Sequence, residues 1–287
     1  MEFEVAVSGC GFEFKILKNA WFSLFNSPYP AHKSESAIDI YYPEEEALMP
    51  LDEGKVLETR WFETSKIRSD ALEKEPLILV KVDEKIVVKI LHVNPTVKVG
   101  EKVRLGDPLG KLIISGYFLP WTDKHAHFEL RSIHDPYRAC GAYKLKVNLN
   151  FKKPISFSQN QKWEFRVREV LKRFVWAEPT TNNMNLVSGL TVLVGNKAYP
   201  VDGGIPYHGY GVVVGGKGRM VKDPMGNVIG KRTGETHAGM MFKVLGKPLV
   251  NGKKIVGVGS FMKNRLLKIV GIKEKLKEGD ILKLRFK

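Results

Sequence analysis

Alternation of apolar and polar side chains, the pattern of strands with one buried face, runs through most of this chain. Phe3, Val5 and Val7, then Phe12, Phe14 and Ile16, predict two short strands around a turn at Ser8-Gly9-Cys10-Gly11. Ile38–Pro43 predicts another, with Asp39 between Ile38 and Ile40. A carboxylate in that phase is costly to bury unless it is paired or metal-bound. Ala47–Val56 reads as a strand closing on a turn at Asp52-Glu53-Gly54. Leu77–Val82 and Lys85–Val93 predict a hairpin turning at Asp83-Glu84, with His92 at the end of its second arm. Further short strands turn back at Gly100-Glu101 and Gly106-Asp107, as in sandwich-like β domains.

The pattern changes near residue 150, where Lys152-Lys153-Pro154 and Ser156–Gln161 read as a polar linker. Two domains are expected, over residues 1–148 and 149–287. Residues 163–175 predict the one helix of the second: Trp163, Val167, Val170, Leu171 and Phe174 fall at helical spacing, with Arg166, Arg168, Lys172 and Arg173 on other faces. Strands follow at Leu186–Val194, Gly211–Val214, Ile255–Val258 and Ile281–Phe286, with a hairpin turn at Asp223–Asn227. Gly215–Arg219 lacks the residue order of a nucleotide loop and reads as a turn. Lys273–Lys287 interleaves Lys with Leu and Ile, the pattern of a lysine-protected edge strand or of an anion-binding face. The fold class is mainly β, with a basic β-rich second half that carries one helix.

Charge sharpens this division. Residues 1–150 hold 20 Lys+Arg against 22 Asp+Glu, whereas residues 151–287 hold 26 against 9. The basic half is suited to an anionic partner such as nucleic acid, an anionic polymer or a membrane surface; abundant surface lysine is the plainer reading. Cys10 and Cys140 are too few for a disulfide framework and read as buried free thiols. The acidic N-terminus and the lack of a long apolar run predict a cytoplasmic protein without a secretion signal or transmembrane segment.

Candidate chemistry gathers on histidines. In an extended strand the imidazoles of His125 and His127 share a face while Ala126 and Phe128 pack behind. His32 and Asp39 stand together upstream, separated by the six residues Lys33–Ile38. His134, His208 and His237 fall in turns or Gly-containing loops and read as ordinary loop residues.

Several landmarks occur in one order: Ala37-Ile38-Asp39-Ile40, Ala47-Leu48-Met49-Pro50 running into Gly54-Lys55-Val56, Leu91-His92-Val93, Val97–Val103 with Gly106–Gly110, His125-Ala126-His127-Phe128-Glu129, and Asp135-Pro136-Tyr137. Over about residues 28–140 this set resembles the lysostaphin-type (LytM-like) zinc endopeptidases. The resemblance implies an antiparallel β-sheet domain of the duplicated hybrid motif or barrel-sandwich kind. It also implies that His32, Asp39 and His127 hold one Zn2+, with His125 and His92 as catalytic assisting groups. Two departures stand out. The family usually separates its first two ligands by three residues, so the longer segment here must loop to bring His32 to the metal. Its small, Gly-rich approach to His-x-His is replaced by Gly116-Tyr117-Phe118-Leu119-Pro120-Trp121, which narrows or reshapes the substrate groove.

Two imidazoles and a carboxylate leave a fourth tetrahedral position for water, whose pKa zinc lowers toward about 7. The implied function is zinc-dependent hydrolysis of a peptide or peptide cross-link. Glu129 either accepts a hydrogen bond from His127 or is a surface carboxylate. The alternative is a non-catalytic, peptidase-like scaffold whose basic residues 150–287 bind an anionic partner.

Overall fold

In the computed structural model, residues 1–155, 162–181 and 187–287 are described. The Ser156–Gln161 linker and the start of the Leu186–Val194 strand therefore lie outside the described residues. The chain divides into two compact units, Met1–Phe22 with Tyr29–Lys146, and Ser23–Pro28 with Val147–Lys287. Both are built from antiparallel sheets, and the protein is mainly β.

The first unit contains strands β1 (Phe3–Gly9), β2 (Phe12–Leu17), β3 (Trp21–Ser23), the short helix α1 (Pro30–Lys33), β4 (Ile38–Tyr41), β5 (Glu46–Leu48), β6 (Glu53–Glu63), β7 (Lys74–Lys81), β8 (Ile86–Leu91), β9 (Val93–Pro95), β10 (Lys102–Arg104), β11 (Pro108–Leu112) and β12 (Ala126–Ser132). A seven-stranded sheet runs in the order β10-β6-β7-β8-β12-β4-β3. The β1–β2 hairpin arises where alternation predicts it, and the β7–β8 hairpin where β-rich runs flank Asp83-Glu84. Asp52-Glu53-Gly54 is less of a turn than expected, because Glu53 and Gly54 already belong to the eleven-residue β6.

One face of the sheet carries Ile38, Ile40, Ile78, Val80, Val88, Ile90, Phe128 and Leu130, all fully buried. Phe14 meets Phe128 edge to face at 6.3 Å between centroids. Each side chain of this size contributes roughly 1.5–3 kcal/mol on burial, so this face holds the unit together. The opposite face is also buried, yet it carries Asp39, Glu75, Lys89, His127, Glu129 and Arg131. A sheet interior with that many ionisable groups is stable only if they satisfy one another.

In the second unit a thirteen-stranded antiparallel sheet surrounds a core that includes Trp163, Phe165, Val167, Val192, Val213, Phe242, Val258, Ile269 and Leu282. Residues 163–175 do not form the expected helix. They build a β-hairpin from strands Glu164–Val170 and Phe174–Pro179. Trp163, Phe165 and Val167 also satisfy a period of two, with Glu164, Arg166 and Arg168 pointing the other way. Pairing of Glu164–Val170 with Ile281–Phe286 on its other side decides for the strand. Ile281–Phe286 is consequently an internal strand, not an edge, bonded also to Pro248–Val250. The turn at Asp223 is as expected: its Oδ1 accepts the N–H groups of Met225 and Asn227. Cys10 and Cys140 are exposed, contrary to the buried thiols expected, because each sits in a turn. Among the described residues no helix is long and apolar enough to cross a membrane.

Candidate metal centre

Strand register assembles the site. β12 pairs with β4 so that His127 lies opposite Asp39, and with β8 so that Glu129 lies opposite Lys89. Alternation along β12 then separates Ala126, Phe128 and Leu130, in the apolar core, from His127, Glu129 and Arg131 on the polar face.

His32 arrives from α1, and the six residues before Asp39 are taken up by a tight turn. Ser34 N–H donates to the Pro30 carbonyl at 3.0 Å and Ser36 N–H to the Ala31 carbonyl at 2.8 Å. The Ser36 hydroxyl donates to the same Ala31 carbonyl at 3.0 Å. Glu35 adopts φ 58°, which lets the chain reverse before β4 begins at Ile38. The extra length is thus folded away, and His32, with 2 % of its surface exposed, stays beside Asp39.

Among the described residues, His32, Asp39 and His127 converge as a group of potential metal ligands. His32 Nε2 is 3.3 Å from Asp39 Oδ1, His127 Nδ1 is 2.9 Å from the same oxygen, and the two nitrogens are 3.2 Å apart. Ligand atoms bonded at about 2.0–2.1 Å to a tetrahedral ion lie about 3.3 Å from one another. The three atoms are therefore close to the spacing a tetrahedral metal requires.

Hydrogen bonding around the cluster leaves its centre suited to a proton or a metal ion. His127 Nε2 donates to Glu129 Oε1 at 3.0 Å, so in a neutral ring the lone pair is on Nδ1. That lone pair faces an Asp39 oxygen that can only accept, with His32 Nε2 within 3.3 Å of both. Electron pairs converging on one point need a proton or a metal ion between them. Burial disfavours an imidazolium at His127, yet hydrogen bonds to Asp39 and Glu129 outweigh it and push its pKa up to about 9. Burial likewise raises the Asp39 pKa, but attraction to His32 and His125 and hydrogen bonds from His127 and His32 hold it well below the usual carboxylate range.

Glu129 is buried and anchors the outer side of the cluster. Its Oε1 also accepts from Lys89 Nζ at 3.0 Å, and its Oε2 accepts from Arg131 Nη1 at 2.7 Å. Arg131 in turn donates to the carbonyls of Asp135 and Cys140 at 2.8 and 2.7 Å. Burial works against the Glu129 carboxylate, but the hydrogen bond and charge of His127, with Lys89 and Arg131, bring its pKa down to about 2.

His125 and His92 lie beside the cluster without joining it. His125 Nδ1 donates to the Asp123 carbonyl at 2.8 Å, and its Nε2 is 3.5 Å from Asp39 Oδ2. Its ring stacks on Phe118 at 4.6 Å and 18° and leans on Tyr41 at 5.0 Å. Burial, opposed by Asp39 and reinforced by His92, pushes the His125 pKa down to about 3. The His92 ring is 5.1 Å from that of His125 and 5.8 Å from that of His127. His134 and His208 lie in turns and His237 in a bend.

Sequence reasoning missed four members of this environment: Glu75, Lys89, Ser115 and Arg131. Glu75 carried a readable signal, since it shares the phase of the buried Leu77 and Leu79 on β7. Lys89 and Arg131 occupy the corresponding phase on β8 and β12.

The family model described as "Domain of unknown function (DUF8155) N-terminal domain" matches residues 13–147. No curated protein matches the chain. Among solved structures, the "NMR solution structure of lysostaphin" is similar at a TM-score of 0.31 and 13% identity, covering 80% of this chain and 89% of that one. At so low a TM-score the likeness has no part in the functional reading below.

Proposed function

We propose that the first unit is a zinc-dependent peptide hydrolase. The observation that carries this reading is the convergence of His32 Nε2, Asp39 Oδ1 and His127 Nδ1 within 3.3 Å of one another. Two imidazoles and a carboxylate form the donor set typical of a catalytic zinc with one open position. Zinc bound there would supply an acidified water and a Lewis acid for the peptide carbonyl. Around it, Asp39 and the hydrogen-bonded His127 would hold the ligand geometry, while the imidazoles of His125 and His92 would move protons between water and the leaving amide nitrogen. The same five residues carry the resemblance to the lysostaphin-type endopeptidases that the sequence shows.

The test is to purify the protein, measure its zinc, and incubate it with a library of peptides and cross-linked peptides, reading products by mass spectrometry. About one zinc per chain and chelator-sensitive cleavage are expected. Protein that takes up no zinc, or that cleaves nothing when zinc-loaded, overturns the assignment.

A further inference from the structure

Glu75, on β7, has no exposed surface, and the hydrolase reading does not by itself require it. A single oxygen of this carboxylate, Oε1, accepts both the backbone N–H of His92 at 2.6 Å and its Nδ1–H at 2.8 Å. The other oxygen, Oε2, accepts the hydroxyl of Ser115, which is itself fully buried and accepts the Tyr117 N–H at 3.1 Å. A carboxylate can only accept from these groups, so His92 carries its proton on Nδ1 and keeps the Nε2 lone pair. The backbone of His92 sits at φ 67°, a left-handed region that strains a non-glycine residue. Strain of this kind persists where the surroundings impose it, and here the bond from its own N–H to Glu75 does so.

His125 is held differently. Its Nδ1–H donates to the Asp123 carbonyl, a neutral acceptor that orients the ring but adds no charge. The nearest carboxylate to its Nε2 is Asp39, at 3.5 Å, which is already committed to the metal cluster.

We propose that Glu75 is a positioning residue that makes His92, rather than His125, the general base of the site. The inference rests on the hydrolase reading given above. Water loses a proton to His92 Nε2 as its oxygen bonds to the peptide carbonyl carbon and the π pair moves onto the carbonyl oxygen. The proton then passes from Nε2 to the amide nitrogen as the C–N bond breaks and the carbonyl re-forms, giving a carboxylic acid and an amine. While the imidazole is charged, Glu75 stabilises it, as a buried aspartate does in a Ser-His-Asp triad. Ser115 keeps the carboxylate in line.

Glu75→Gln separates orientation from charge. The glutamine oxygen can accept both His92 N–H groups, and its NH2 can donate to the Ser115 oxygen. The variant should keep its zinc and its KM and lose on the order of 100-fold in kcat. Ser115→Ala should lose less, with zinc again intact.

A second readout is independent of activity and of any variant's folding. In 15N-resolved histidine spectra of the wild-type protein, assigned by loss of signals in His92→Asn, His92 should be protonated on Nδ1 and unprotonated on Nε2. The opposite tautomer overturns the proposal, as does wild-type kcat in zinc-loaded Glu75→Gln. If the wild-type protein cleaves no peptide, the hydrolase reading fails by itself. The spectrum then decides the Glu75–His92 relationship alone: the Nδ1–H form upholds it and the Nε2–H form overturns it.

Discussion

Glu129 Oε1 takes the Nε2–H of His127 at 3.0 Å, so that in the neutral ring the lone pair is on Nδ1 and faces Asp39 and His32. Glu129 therefore selects the tautomer that can ligate a metal. Substituting Glu129→Gln leaves a side chain that can accept from His127 or donate to it, and removes the charge that Lys89 and Arg131 both bind. Zinc affinity of Glu129→Gln should fall about 10–100-fold, the usual consequence of altering a ligand's hydrogen-bond partner. Competition titration against a zinc chelator measures it; unchanged affinity would show that another group fixes the ring.

His127 and His125 differ in role although they are two residues apart, His127 on β12 and His125 just before it. His127→Ala removes one of three converging ligand atoms and should leave less than a tenth of the wild-type zinc after dialysis. His125→Ala removes a ring that donates to the Asp123 carbonyl, stacks on Phe118 and lies 3.5 Å from Asp39 Oδ2. It should retain about one zinc per chain while peptide cleavage falls on the order of 100-fold, because His92 loses the ring it packs against. Metal analysis and cleavage rate on the same two preparations separate these roles. Loss of zinc in both would mean that His125 holds the ligand geometry instead.

Much of this was legible along the chain, for identifiable reasons. Asp39 drew notice because a carboxylate between two isoleucines must be paired or bound, and the fold places it opposite His127. Strands β1 and β2 follow from alternation, and β7 and β8 from β-rich runs on either side of Asp83-Glu84, since local preference and tertiary burial agree there. At residues 163–175 they conflict: the residues satisfy helical spacing and a period of two together, and only pairing with Ile281–Phe286, more than a hundred residues away, selects the strand. The partners of the site histidines were hidden for a similar reason. Glu75 meets His92, and Lys89 meets Glu129, through strand register, which sequence patterns constrain poorly. Ser115, in a loop, has no periodicity to mark it.

Metal removal should weaken the first unit. Three ligands lie on α1, β4 and β12, so an ion bound only by the folded state links elements distant in sequence. Free zinc at about 100 times its dissociation constant adds about 2.7 kcal/mol of stability by mass action. Thermal unfolding at pH 7.5 should therefore move several degrees lower when chelator is added and recover when zinc is restored. The effect should grow as pH rises toward about 9 and shrink as pH falls below it, because zinc binds a neutral imidazole and must displace the proton that His127 holds with a pKa of about 9. An unfolding temperature that ignores chelator would argue against metal at His32, Asp39 and His127.

Asp202 governs a separate relationship, inside the second unit. Its buried carboxylate accepts the Ser23 hydroxyl at 2.6 Å and the Leu24 N–H at 2.8 Å, holding the segment Ser23–Pro28 against strand Lys197–Ile205. The Ser23 oxygen also accepts the N–H groups of Phe25 and Asn26 at 3.2 and 2.9 Å, so the carboxylate orients a small network. Removing the acceptor strands a buried hydroxyl and a buried backbone donor, each costing about 1–3 kcal/mol. Asp202→Ala should lower the denaturant midpoint of the second unit by an amount equivalent to about 2–5 kcal/mol. Asp202→Asn keeps one acceptor oxygen and should lose roughly half as much. Neither change touches His32, Asp39 or His127, so zinc content should stay at the wild-type level in both variants. A midpoint that does not move in Asp202→Ala would show that the apolar side chains Leu24 and Phe25, both fully buried, suffice to hold this segment.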